Sequence, residues 1–102
     1  MLKNDPNLAL ASLRIDIETK LREIARKENL PVADESFSLE KVLYALYSKK
    51  VIGSSEFDII RIIISACDRA VHAEKIDFVT ASQIVDIGES AVSYIDSLRE
   101  KS

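Results

Sequence analysis

The stretch Phe57-Asp58-Ile59-Ile60-Arg61-Ile62-Ile63-Ile64-Ser65-Ala66-Cys67 decides the fold, because its five isoleucines within six positions can be read as a buried strand or as a buried helix. β-branched residues favour sheets. The apolar pattern nevertheless runs on from Phe57 through Cys67 to Val71, too far for an ordinary strand, and no neighbouring segment offers a strand to pair with it. A helix over about 55 to 74 follows, with apolar groups around most of its circumference in the first half, which predicts the central helix of the molecule.

The segments on either side agree. Asp5-Pro6 supplies a cap and a first-turn proline, after which Leu10, Leu13, Ile17, Leu21 and Ile24 recur at helical spacing to about Asn29. Arg14, Glu18, Arg22 and Lys27, interleaved with Asp16, Lys20, Glu23 and Arg26, read as a solvated face of mixed sign. Leu30-Pro31-Val32 ends this helix, and residues 31–37 form a polar connection. Ser38 caps a shorter helix carrying Leu39, Val42, Leu43, Leu46 and Tyr47, with Lys49 and Lys50 suiting its C-terminal end. Gly53 is expected to take the left-handed conformation of a helix exit, and Ser54 or Ser55 to begin the next helix in a tight antiparallel hairpin. Thr80 with Gln83 reads as the capping box of a last helix bearing Ile84, Ile87, Ala91, Ile95 and Leu98, in which Gly88 permits close packing.

The 102 residues therefore predict one all-α domain, residues 1–102, folded as an antiparallel up-down four-helix bundle, since short connections place successive helices antiparallel. An apolar content of 47% supplies a core without disulfides or metals, and two Gly and two Pro are few for a many-stranded fold. A net charge of −3 argues against a general phosphate-binding surface. Cys67 is the single cysteine, which excludes an internal disulfide and a multi-cysteine metal site and fits a reducing, cytoplasmic setting. No cofactor or metal is expected. The run Ile59–Cys67 is broken by Arg61 and falls short of the roughly 20 residues that cross a bilayer, so no direct membrane insertion of this segment is expected. Met1–Pro6 lacks the features of a signal peptide. The chain fits a free protein, an excised domain, or the soluble part of a longer membrane-associated one.

Asp58, Arg61, Ser65, Asp68, Arg69 and His72 recur every three or four residues along the third helix and share one face. As surface chemistry they give Asp58–Arg61 and Asp68–His72 pairs on a solvated edge. As a site they give a polar cleft around His72, the sole histidine and the natural general acid or base, with Asp68 to orient the imidazole and Arg69 to stabilise a phosphate or developing negative charge. Tyr44, Tyr47 and Tyr94 have base-stacking chemistry but sit at helical spacing beside aliphatic residues, as boundary packing does.

The segment Ala66-Cys67-Asp68-Arg69-Ala70-Val71-His72, before a short loop and a capped final helix, resembles the signature of HEPN-like domains, in particular their DUF4145-type branch. The opening Asp5-Pro6-Asn7-Leu8-Ala9-Leu10, continuing through Leu13-Arg14-Ile15-Asp16-Ile17-Glu18, is similar to that branch's first helix. The resemblance implies a helical bundle, frequent homodimerisation and, in active members, metal-independent RNA cleavage by an Arg, a polar residue and a His. Aligned on His72, the polar position is Asp68 and the Arg position is Cys67, which has no cationic fork. Arg69 is displaced by two positions, about 200° around an ideal helix, and Cys67 between Ile64 and Val71 reads as a buried thiol. The expectation is a dimerising or partner-binding module with a degenerate ribonuclease motif. The alternative is a toxin-like ribonuclease using His72, Asp68 and Arg69 in a cleft at a homodimer interface. RNA and an antitoxin-like protein are the implied partners.

Overall fold

The computed structural model describes residues 6–34, 36–72 and 76–101. Four α-helices account for most of them: α1 (Pro6–Lys27), α2 (Leu39–Ser48), α3 (Ser54–Val71) and α4 (Phe78–Lys101), with a short 3-10 turn at Pro31–Ala33 between α1 and α2. No strand occurs among the described residues, so periodicity prevails over β-propensity in the isoleucine run. The Asp5 cap lies outside the described residues.

Local chemistry sets the helix ends. α1 closes with Asn29 in the left-handed region at φ 58°, where Leu30 N–H donates to the Ala25 carbonyl and Asn29 N–H to that of Arg26. α2 begins at Ser38, whose hydroxyl accepts from Lys41 N–H at 3.3 Å, as its sequence suggests. Its exit differs from expectation. Lys50, at φ 63°, adopts the left-handed conformation, with Lys50 N–H on the Tyr47 carbonyl and Val51 N–H on that of Leu46. Gly53 instead is extended, at φ −71° and ψ 163°, and precedes α3 as its N-terminal flanking residue. The last helix also starts earlier than Thr80: Asp77 accepts from the Val79 and Thr80 backbone N–H groups and from the Thr80 hydroxyl. Thr80 is thus a partner of the cap rather than the cap, because an aspartate one residue before the first helical turn reaches two free amides together.

Helix directions depart from the up-down scheme. Along α1 and α4 the contacts advance together: Gly88 abuts Leu13, Lys20 bonds Asp96, and Lys27 bonds the Arg99 carbonyl, so these helices run parallel. Arg99 Nε, shielded from solvent, lies 2.8 Å from Glu23 Oε1 as an ion pair without hydrogen-bond alignment. Tyr94 Oη reaches Gly53 N–H at the start of α3, although α4 begins just after α3 ends, so α3 and α4 are antiparallel. The start of α2 lies in a cleft with the middle of α1 and with Ile64 and Asp68 of α3, while its end meets the first turn of α3 through Tyr47 and Phe57. α2 therefore ascends with α1, and α3 alone runs against the other three. The cause is the connection over residues 28–38. It doubles back along α1, so that α2 starts beside the middle of α1 instead of at its end.

The core is built on the α1 stripe Leu10, Leu13, Ile17, Leu21 and Ile24, joined by Val42, Leu43 and Leu46 of α2, Ile60, Ile63, Ile64 and Cys67 of α3, and Val85 and Ile95 of α4. α1 and α3 each pack on the other three helices, whereas α2 and α4 are not packed together among the described residues. α3 is not the enclosed centre that its composition predicts: Ile59 is 44% and Ile62 61% exposed. The buried stripe of α1 takes that role.

Candidate functional site

On α3 the polar residues share a face as their spacing requires: Asp58, Arg61, Ser65, Arg69 and His72 are exposed and Asp68 is half-buried. Asp58 and Arg61 form the expected pair, loosely, at 3.9 Å with both side chains more than half exposed. Asp68 and His72 do not pair. His72 is the C-terminal cap of α3, where its backbone N–H reaches the Asp68 carbonyl; its side chain has no hydrogen bond or ion pair among the described residues. Arg69 points into solvent about 100° around the helix from Asp68. The three candidate residues are thus neighbours on one face of α3, without side-chain hydrogen bonds to one another.

What Asp68 meets instead is Arg14 of α1, whose Nε donates to Oδ1. Arg14 also donates through Nη1 to Glu18 at 2.7 Å, and Glu18 accepts from Arg22 Nε at 2.9 Å. Arg22, only 7% exposed, spends its remaining donors on the carbonyls of Asp34 and Phe37. This chain of charges crosses from α3 over α1 to the doubled-back connection and lines a cleft of about 370 Å³ with Phe37, Leu39 and Ile64. Burial works against the Arg14 charge, yet the hydrogen bonds and charges of Asp68 and Glu18 outweigh it and raise its pKa above the ordinary guanidinium value. The cleft is therefore a set of matched charges in which every guanidinium has a carboxylate.

Cys67, at the position the resemblance assigns to an Arg, is fully buried in the core. Burial, with a smaller push from the Asp68 carboxylate and against a pull from Arg14, drives its thiol pKa up to about 11. It is an inert packing group. Tyr47 stacks on Phe57 with ring centroids 4.4 Å apart, and Tyr94 bonds Gly53, so both are structural; Tyr44 is 61% exposed at the edge of that aromatic cluster.

Arg14, Glu18 and Arg22 read as a solvated face in the sequence. Their spacing of four along α1, each one position beyond the core residues Leu13, Ile17 and Leu21, is the signal that places them on the boundary with α3 and the connection. No helix among the described residues is long and apolar enough to cross a membrane. No family model, curated protein or solved structure matches the chain.

Proposed function

We propose that this chain is a HEPN-like helical module of the cytoplasm that acts by pairing with a second copy or a partner protein, its ribonuclease motif being degenerate. The observation that supports this most is the fate of the guanidinium: Cys67 fills the motif's Arg position inside the core, and the cation beside Asp68 is Arg14, already neutralised by Asp68 and Glu18. A group so matched has little charge left for a phosphate. Among the described residues the His72 side chain has no hydrogen bond or ion pair with a carboxylate or a cation. The exposed isoleucines of α3 give the same face a different use, since large apolar groups on a surface mark interaction sites when they cluster.

The ribonuclease alternative is supported by one feature, the accessibility of His72 and Arg69 on a common face. Incubation with single-stranded and structured RNA, beside His72→Ala, decides between the two. The module reading expects no cleavage above that of the variant. Reproducible cleavage lost in His72→Ala overturns it.

A further inference from the structure

The hollow between α2, α3 and the Pro31–Ala33 turn is unlike the Arg14–Asp68 cleft. It measures about 490 Å³, and Val32, Leu43, Tyr44 and Phe57 give it an apolar wall. The wall is aromatic for a local reason: Tyr44 and Tyr47 stand three positions apart on α2 and so share a face, and Phe57 of α3 meets both. Its ring lies edge-on to Tyr44, with centroids 6.3 Å apart, and stacks on Tyr47. Tyr47 braces that ring, while Tyr44 keeps 61% of its surface exposed. An apolar hollow of this size with a few convergent polar groups has the make-up of a small-molecule site.

The charges at the rim identify the ligand. α2 and α3 are antiparallel and Tyr47 meets Phe57, so counting back along α2 and forward along α3 brings Arg61 level with Leu43 and Tyr44, with Lys41 less than one turn away. Two cations thus flank the rings against a single carboxylate, Glu40, on the ridge that this hollow shares with the Arg14–Asp68 cleft. In that cleft both guanidinium groups are bonded to carboxylates. Here Arg61 has only Asp58, at 3.9 Å with both side chains more than half exposed. Lys41 forms no ion pair among the described residues, its ammonium standing 5.9 Å from the Phe37 ring centroid. A guanidinium with free donors takes a carboxylate in its fork, and its plane stacks on a flat ring. The lining is short: α2 contributes positions within 40–45, and α3 only Phe57 and Arg61, one turn apart. The hollow therefore suits one ring system rather than a run of peptide.

We propose that this hollow binds a small aromatic carboxylate, its ring against Tyr44 and Phe57 and its carboxylate on Arg61 with Lys41 in support, a role separate from pairing. Amide NMR titration of the full chain with indoleacetate, and with its neutral and cationic counterparts tryptophol and tryptamine, tests it. The expected result is saturable shifts centred on Tyr44, Ala45 and Phe57, with tryptophol weaker than indoleacetate by at least about threefold and tryptamine weaker again. Arg61→Gln closes the gap between acid and alcohol, Tyr44→Ala weakens all three, and Arg26→Gln on α1 changes nothing. Should Tyr44→Ala lose its native melt, Arg61→Gln carries the test. Equal binding of acid, alcohol and amine overturns the carboxylate assignment, and no saturable shift with any probe up to about 10 mM overturns the site. Tighter binding of the peptide acetyl-Asp-Phe-Asp-amide than of indoleacetate makes the hollow a peptide groove, and shifts there that grow with protein concentration alone give it to a second copy. Either result overturns the small-ligand assignment.

Discussion

At the scale of single residues, environment separates the two side chains of α3 with nucleophilic or acid–base chemistry. Cys67 and His72 stand five positions apart on α3, one sealed in the core with its thiol raised to about 11, the other open at the helix end. A thiol so buried is almost wholly protonated near neutrality and out of reach of reagents. Cys67 is therefore expected to resist a chromogenic disulfide reagent at pH 8 in the native protein and to react at once in denaturant, which a simple absorbance trace measures. Asp77 carries a pH signature. Its hydrogen bonds from the Thr80 hydroxyl and backbone, then from Val79, hold its pKa below the usual carboxylate value. A carboxylate lowered on folding contributes stability above its unfolded pKa of about 3.9 and loses it as pH falls through the folded value. Asp77→Asn, which keeps a capping oxygen, should melt below wild type at pH 6, with the gap closing as the pH is taken under 4.

At the scale of elements, the helices were legible in the sequence and their ends were legible in part. The Ser38 cap and the α1 stripe follow directly from hydroxyl chemistry and a 3.6-residue period. The α2 exit did not, because the left-handed position fell on Lys50, a residue type that rarely marks it, while the nearby Gly53 drew the assignment. A side chain in that region is strained relative to glycine. Lys50→Gly is expected to stabilise the protein by about 0.5–1 kcal/mol, read as a higher denaturation midpoint at unchanged slope. Gly88 does carry the close approach its position suggests: a Cβ there would lie 2.3 Å from Leu13 Cδ2. The last helix was placed late because Thr80 and Gln83 match a capping box in pattern, whereas Asp77, three residues earlier, caps the helix through the Val79 and Thr80 amides.

At the scale of the whole molecule, the count of helices was readable and their directions were not. Direction hinges on the connection over residues 28–38, whose path is set by Arg22 on the Asp34 and Phe37 carbonyls, a long-range choice that no local pattern encodes. The same fold-back brings Arg14 to Asp68 and so decides the chemistry of the cleft. It leaves α3 covered on three flanks and open on the side of Ile59 and Ile62, where the composition alone predicts full enclosure. That open side carries the central claim, that the bundle works as a pairing module. Light scattering of the full chain across a wide concentration range tests it most directly: the account predicts a mass rising to twice the 11.4 kDa of one chain in wild type and held near that single-chain value in Ile62→Asp, whereas a single-chain mass for wild type throughout would contradict self-pairing.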